Sequence, residues 1–90
     1  MMNKWYEYQT SIGPFYIAKT LYSFHAIYAE TRIFSSTRAD EIAAVLSHGY
    51  KFKLSGAEHC EIDTSNLKIP AKLSNWARCY YMPSQVSRNF

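Results

Sequence analysis

Only one stretch of this chain, Ser36 to Gly49, carries the 3.6-residue spacing of a helix, and a single three-turn helix can cover only one face of a sheet. Ala39, Ile42, Ala43 and Leu46 fall at i, i+3, i+4 and i+7 and make its apolar stripe. Two alanines in that stripe let it lie close against a sheet. Thr37 is the expected N-cap, with Asp40 three positions on as an approximate capping box. Asp40 and Glu41 stand where a helix N-terminus favours negative charge, His48 supplies a cationisable last turn, and Gly49 a C′ residue.

The rest of the periodicity is β-like. Trp5 to Thr10 is rich in β-formers and leads into Ser11-Ile12-Gly13-Pro14, a chain reversal. Phe15 to Lys19 resumes the strand composition, and Ser23 to Ala29 alternates Phe24, Ala26 and Tyr28 against His25 and Ile27. Glu30-Thr31-Arg32 is read as a tight connection to a short fourth strand at Ile33-Phe34. Beyond the helix, Tyr50 to Leu54 reads as an edge strand with lysines outward, broken by Ser55-Gly56-Ala57. Asp63 to Leu67 reads as an Asx or Ser/Thr turn capped by Asp63, and Pro70 forces an extended backbone at Ile69. Leu67, Ile69, Leu73 and Trp76 are the expected anchors of an irregular C-terminal wrap. The expected architecture is α+β: an antiparallel sheet of three or four strands, one helix packed on one face, and an irregular C-terminal segment. Residues 1–82 are expected to form one domain and residues 83–90 a frayed tail.

Ninety residues leave no room for two cores, which excludes a multidomain enzyme. No run of eighteen apolar residues occurs and no secretory segment opens the chain, so the expectation is a cytoplasmic protein without a membrane span. Acidic and basic residues balance over positions 1–50, and the whole +3 excess falls in the remainder. Six cations there, spread among three acids, are a thin supply for a phosphate track. Cys60 and Cys79 are read as two thiols; a bridge closing about twenty residues would contribute on the order of 3 kcal/mol in an oxidising compartment. His59 beside Cys60, with Cys79 and His48, lacks zinc-ligand spacing, and no metal or cofactor is expected.

The pattern Trp5-Tyr6, Thr10-x-Ile12-Gly13-Pro14-Phe15-x-Ile17 and Phe34-x-Ser36 before the helix, with Ile62 to Trp76 at the end, resembles a group of small uncharacterised bacterial proteins. The likeness spans most of residues 5–76. It implies a bacterial, single-domain, intracellular protein and carries no activity, cofactor or catalytic residue. The strand–helix junction is also similar in outline to DNA-binding domains in which three antiparallel strands precede a helix. Such a sheet presents Arg and Lys to phosphates and base edges, whereas the first three strands here offer only Lys4 and Lys19 beside Glu7.

Aromatic content is the remaining signal: two Trp, eight Tyr and five Phe. Alternation divides Trp5, Glu7 and Gln9 from Tyr6, Tyr8 and Thr10, and Phe15 and Ile17 from Tyr16. Tyr6, Tyr8, Tyr16 and His25 are therefore the candidate partner-binding residues, an aromatic sheet face for a second copy or another protein chain. The competing reading folds the segment anchored by Leu67, Ile69 and Trp76 over that same face. Nucleic-acid binding is the alternative, through Tyr50, Lys51, Phe52 and Lys53 as interleaved rings and cations. A thiol enzyme pairing His25 or His48 with Cys60 or Cys79 is the remaining option, and a sheet-plus-helix unit of this size offers little volume for a deep pocket. The chain is read as a non-enzymatic interaction module.

Overall fold

The computed structural model describes residues 5–29, 31–54 and 61–79. Four strands, β1 (Trp5–Thr10), β2 (Gly13–Lys19), β3 (Phe24–Tyr28) and β4 (Thr31–Ser36), form an antiparallel meander, followed by helix α1 (Ala39–His48). Lys51–Lys53 (β5) and Glu61–Asp63 (β6) pair as a separate ribbon. A short 3₁₀ turn at Thr64–Asn66 and another at Leu73–Asn75 lead to β7 (Ala77–Cys79). β7 pairs antiparallel with β1, so the main sheet runs β4-β3-β2-β1-β7.

The α+β class, the antiparallel sheet and the single covering helix stand as the sequence implied. Three details differ. β7 adds a fifth strand to the sheet, because the chain returns past Trp76 to the free edge of β1. Within Tyr50 to Leu54 the expected edge strand forms with its lysines outward, and its partner is β6, which the sequence does not mark as a strand. β4 runs over six residues rather than two, and its register with β3 shifts so that Ala26 faces Phe34 while Ile27 faces Arg32. Ile33 is the extra residue of a bulge, which brings Ile33 and Phe34 to the same side.

Cross-strand register sorts the sheet into two faces. Tyr6, Ile17, Ala26 and Phe34 share one row, and Tyr8, Phe15 and Tyr28 the next. Ile42, Ala43 and Leu46 of α1 pack on this face, with the small Ala26 beneath the helix allowing a close approach. Phe15 stacks on Tyr28 at 4.6 Å between ring centroids and takes the edge of Phe52 at 6.4 Å. Ile69 and Trp76 complete the layer, and Trp76 donates its indole N–H to the Pro70 carbonyl at 3.0 Å. The expected anchors Leu67, Ile69, Leu73 and Trp76 thus extend the helical layer over the Tyr8 end of the sheet.

The helix start differs from the expected box. Arg38, in extended conformation, is the N-cap, and Thr37 makes no cap. Ser36 does the work nearby: its hydroxyl accepts from the Arg38 amide at 3.3 Å and donates to Glu41 at 2.6 Å. Asp40 is instead held by a two-point contact with the Arg38 guanidinium. Its carboxyl consequently lies below the usual range, chiefly through that hydrogen bond. At the other end, Gly49 sits at φ +133 and its amide returns to the Val45 carbonyl at 3.0 Å.

Candidate functional site

The four aromatic-face residues do not share a face. Tyr6 and Tyr8 pair with Ile17 and Phe15 and so lie under the helical layer, where Tyr8 meets Trp76 at 5.8 Å. Tyr16 and His25 project from the opposite side. Alternation alone left the registry between β1 and β2 open, and the short Ser11-Ile12 turn decides it. Nor is the far side an open aromatic platform: Tyr16 is 4% exposed and His25 7%. With Trp5, Ala18 and Ile27, Tyr16 forms a second buried cluster, against which Cys79 packs.

Two polar groups are built into that far side. Glu7 and Tyr16 are direct cross-strand partners, and the Tyr16 hydroxyl donates to the Glu7 carboxylate. Burial first, and then the neighbouring negative charge, push the Tyr16 hydroxyl up to about 12. The Cys79 thiol is pushed upward by the same two causes, so at neutral pH it is a thiol and a poor nucleophile. Across the sheet, His25 is ringed by hydroxyls: Nδ1 meets Ser35 Oγ at 2.5 Å, and Nε2 meets Thr20 Oγ1 at 3.1 Å and Ser23 Oγ at 3.2 Å. Burial and the Arg32 charge lower its pKa and favour a neutral imidazole.

The thiol–imidazole pairing does not assemble among the described residues. His25 on β3 and Cys79 on β7 are separated by β2 and β1, about 14 Å at the usual strand spacing. His48 closes the helix on the other side of the sheet, and Cys60 and His59 lie outside the described residues. The rings and cations of the nucleic-acid alternative also part company. Tyr50 packs on Phe34 at 4.6 Å, and Phe52 meets Phe15, both on the core side. Lys51 and Lys53 point outward, opposite Asp63 and Glu61 across the ribbon. The rings are thus turned away from the cations, and each cation faces a carboxylate.

A feature absent from the sequence reading is the β2–β3 hairpin tip. Leu21 and Tyr22 are 83% and 88% exposed, far beyond any other large apolar residue described. Their base is hydrogen-bonded. Thr20 and Ser23 close the turn through the Thr20 amide and hydroxyl, both donating to the Ser23 carbonyl, at 2.8 and 3.2 Å. The same two residues then bond His25, and through it Ser35 on β4. No Gly, Pro or Asn marks this turn, which is why composition hid it. The available signal was the pair Thr20 and Ser23 bracketing two apolar residues.

Beside β4 lies a shallow groove of about 340 Å³ lined by the apolar Phe34, Ala44 and Val45 and by Ser35, Ser36 and Glu41. Val45 falls off the helix stripe and is 38% exposed, the sequence clue to this second surface. Among the described residues no cluster of His, Cys, Asp and Glu has metal-binding geometry, and no helix is long and apolar enough to cross a membrane. Comparison of the chain with family models, curated proteins and solved structures finds no match.

Proposed function

We propose that this chain is a non-enzymatic protein-interaction module that presents the β2–β3 hairpin tip to its partner. The carrying observation is the exposure of Leu21 and Tyr22 on a turn whose base is pinned by the Thr20, Ser23, His25 and Ser35 network. Leaving two large apolar side chains in water has no benefit to the isolated fold, and a hydrogen-bonded base lowers the backbone entropy lost when the tip is captured. Tyrosine is among the residues that most often dominate binding energy, since its ring is buried while its hydroxyl keeps a polar partner.

The reading is tested by placing a photoreactive phenylalanine analogue at Tyr22 and, as a control, at the exposed Lys53, in the cells that make the protein. Irradiation is expected to give a discrete covalent adduct from position 22 and none from position 53. Equal or absent labelling at the two positions overturns it.

A further inference from the structure

We infer that the partner of the hairpin tip is a second copy of this chain, whose groove between β4 and α1 receives Leu21 and Tyr22. The inference rests on the tip being the contact element and names what it contacts. Tip and groove are complementary in chemistry. Tyr22 offers an aromatic body and a polar end; the groove lining offers the apolar Phe34, Ala44 and Val45 and the hydrogen-bonded Ser36–Glu41 pair. Charge agrees as well. Lys19 flanks the tip, with its ammonium 5.9 Å from the Phe24 ring centre, and Glu41 borders the groove. Among the described residues the one ion pair is Arg38 with Asp40, and neither Lys19 nor Glu41 is salt-bridged to another of them.

Position makes the contact reciprocal. Lys19, Phe24 and Ser36 share one cross-strand row, so the tip projects from the end of the sheet that holds Ser36 of the groove lining. Phe34, paired with Ala26, lies four residues from Tyr22 in strand register, about 13 Å along the strand direction. Two elements that close on one flank of the molecule can exchange across a two-fold axis, each tip entering the other copy's groove, which is the closed, isologous arrangement of most dimers. β4 is the terminal strand on that flank. Its bulge at Ile33 disfavours continuation of the hydrogen-bond ladder, so side chains rather than backbone carry the contact.

The test is sedimentation equilibrium of the purified full chain over a concentration series, with circular dichroism to verify folding of each variant. The wild-type mass is expected to rise from 10.5 kDa toward twice that value. The variants L21S/Y22S and V45E are each expected to weaken association about thirtyfold, as loss of a dominant contact residue does. K19E is expected to weaken it too, and K19E/E41K to recover it. A wild type that stays at the single-chain mass up to its solubility limit overturns the inference, as does a dimer indifferent to V45E. If the chain is monomeric while position 22 still yields an adduct with a different protein, the second copy is wrong and the tip reading survives. Should neither dimer nor adduct form, both fall.

Discussion

The buried hydroxyl of Thr64 donates to the carbonyl of Leu46, 2.8 Å away and 18 residues earlier in the chain. The same oxygen accepts from the Tyr50 amide at 2.7 Å, and the Thr64 amide in turn donates to the Tyr50 carbonyl at 3.1 Å. Leu46 belongs to the last turn of α1, whose carbonyls have no partner within the helix. One side chain from the irregular C-terminal segment therefore finishes the helix and ties that segment beneath it. Gly49 permits the approach: a Cβ there would lie 2.9 Å from the Ser65 Cβ.

Replacing Thr64 by Val keeps the shape and strands the buried Leu46 carbonyl and the part-buried Tyr50 amide, at a cost of about 1–3 kcal/mol for each left unsatisfied. Thr64→Val is expected to lose about 2–4 kcal/mol in urea unfolding at constant slope, and Thr64→Ser about 1 kcal/mol. A Val variant as stable as the Ser variant would show that the hydroxyl bridge contributes nothing.

His25 makes stability fall on the acid side. Its pKa in the folded chain lies below the ordinary 6.5, because burial and then the Arg32 charge disfavour the imidazolium. The unfolded chain therefore binds the proton first. Stability is full above pH 6.5 and declines as the pH drops below it toward the folded value. Among the ring's described partners are the hydroxyls of Thr20, Ser23 and Ser35, with the Arg32 charge acting on it; none of these four stabilises a protonated ring by charge. The urea midpoint of wild type is expected to drop between pH 7 and 5, and that of His25→Gln to drop less. Equal pH dependence in the two would assign the loss to other groups.

Tyr16 acts in the opposite window. Its hydroxyl titrates near 12 in the folded chain against 10.0 in the unfolded one, so the native state holds its proton longer. Stability is full below pH 10 and is lost between pH 10 and 12, by on the order of 2 kcal/mol. Ultraviolet titration of phenolate absorbance is expected to show one tyrosine ionising late, and Tyr16→Phe is expected to remove that step. A late step that persists in the Phe variant would belong to another tyrosine.

Local pattern carried much of the fold. The stripe Ala39, Ile42, Ala43 and Leu46 is the buried side of α1, and the alternation of β1, β2 and β3 is the alternation observed. The Asp63 turn also formed as read, with its carboxylate accepting from the Ser65 amide at 2.9 Å. What escaped were facts about pairing. Nothing in Tyr6 and Tyr8 records that they oppose Ile17 and Phe15, which removes them from the surface expected of them. Nothing in Tyr50 and Phe52 distinguishes a stacking platform from rings committed to the core.

From residue order alone come the helix, the first three strands and the anchors of the returning chain, because each is written in the local alternation of apolar and polar residues. Tertiary structure alone decided which tyrosines are covered, that β7 closes onto β1, and that Leu21 and Tyr22 project into water. Those outcomes turn on strand register and on contacts between distant segments. A shift of one residue exchanges the faces of a strand while leaving its composition untouched.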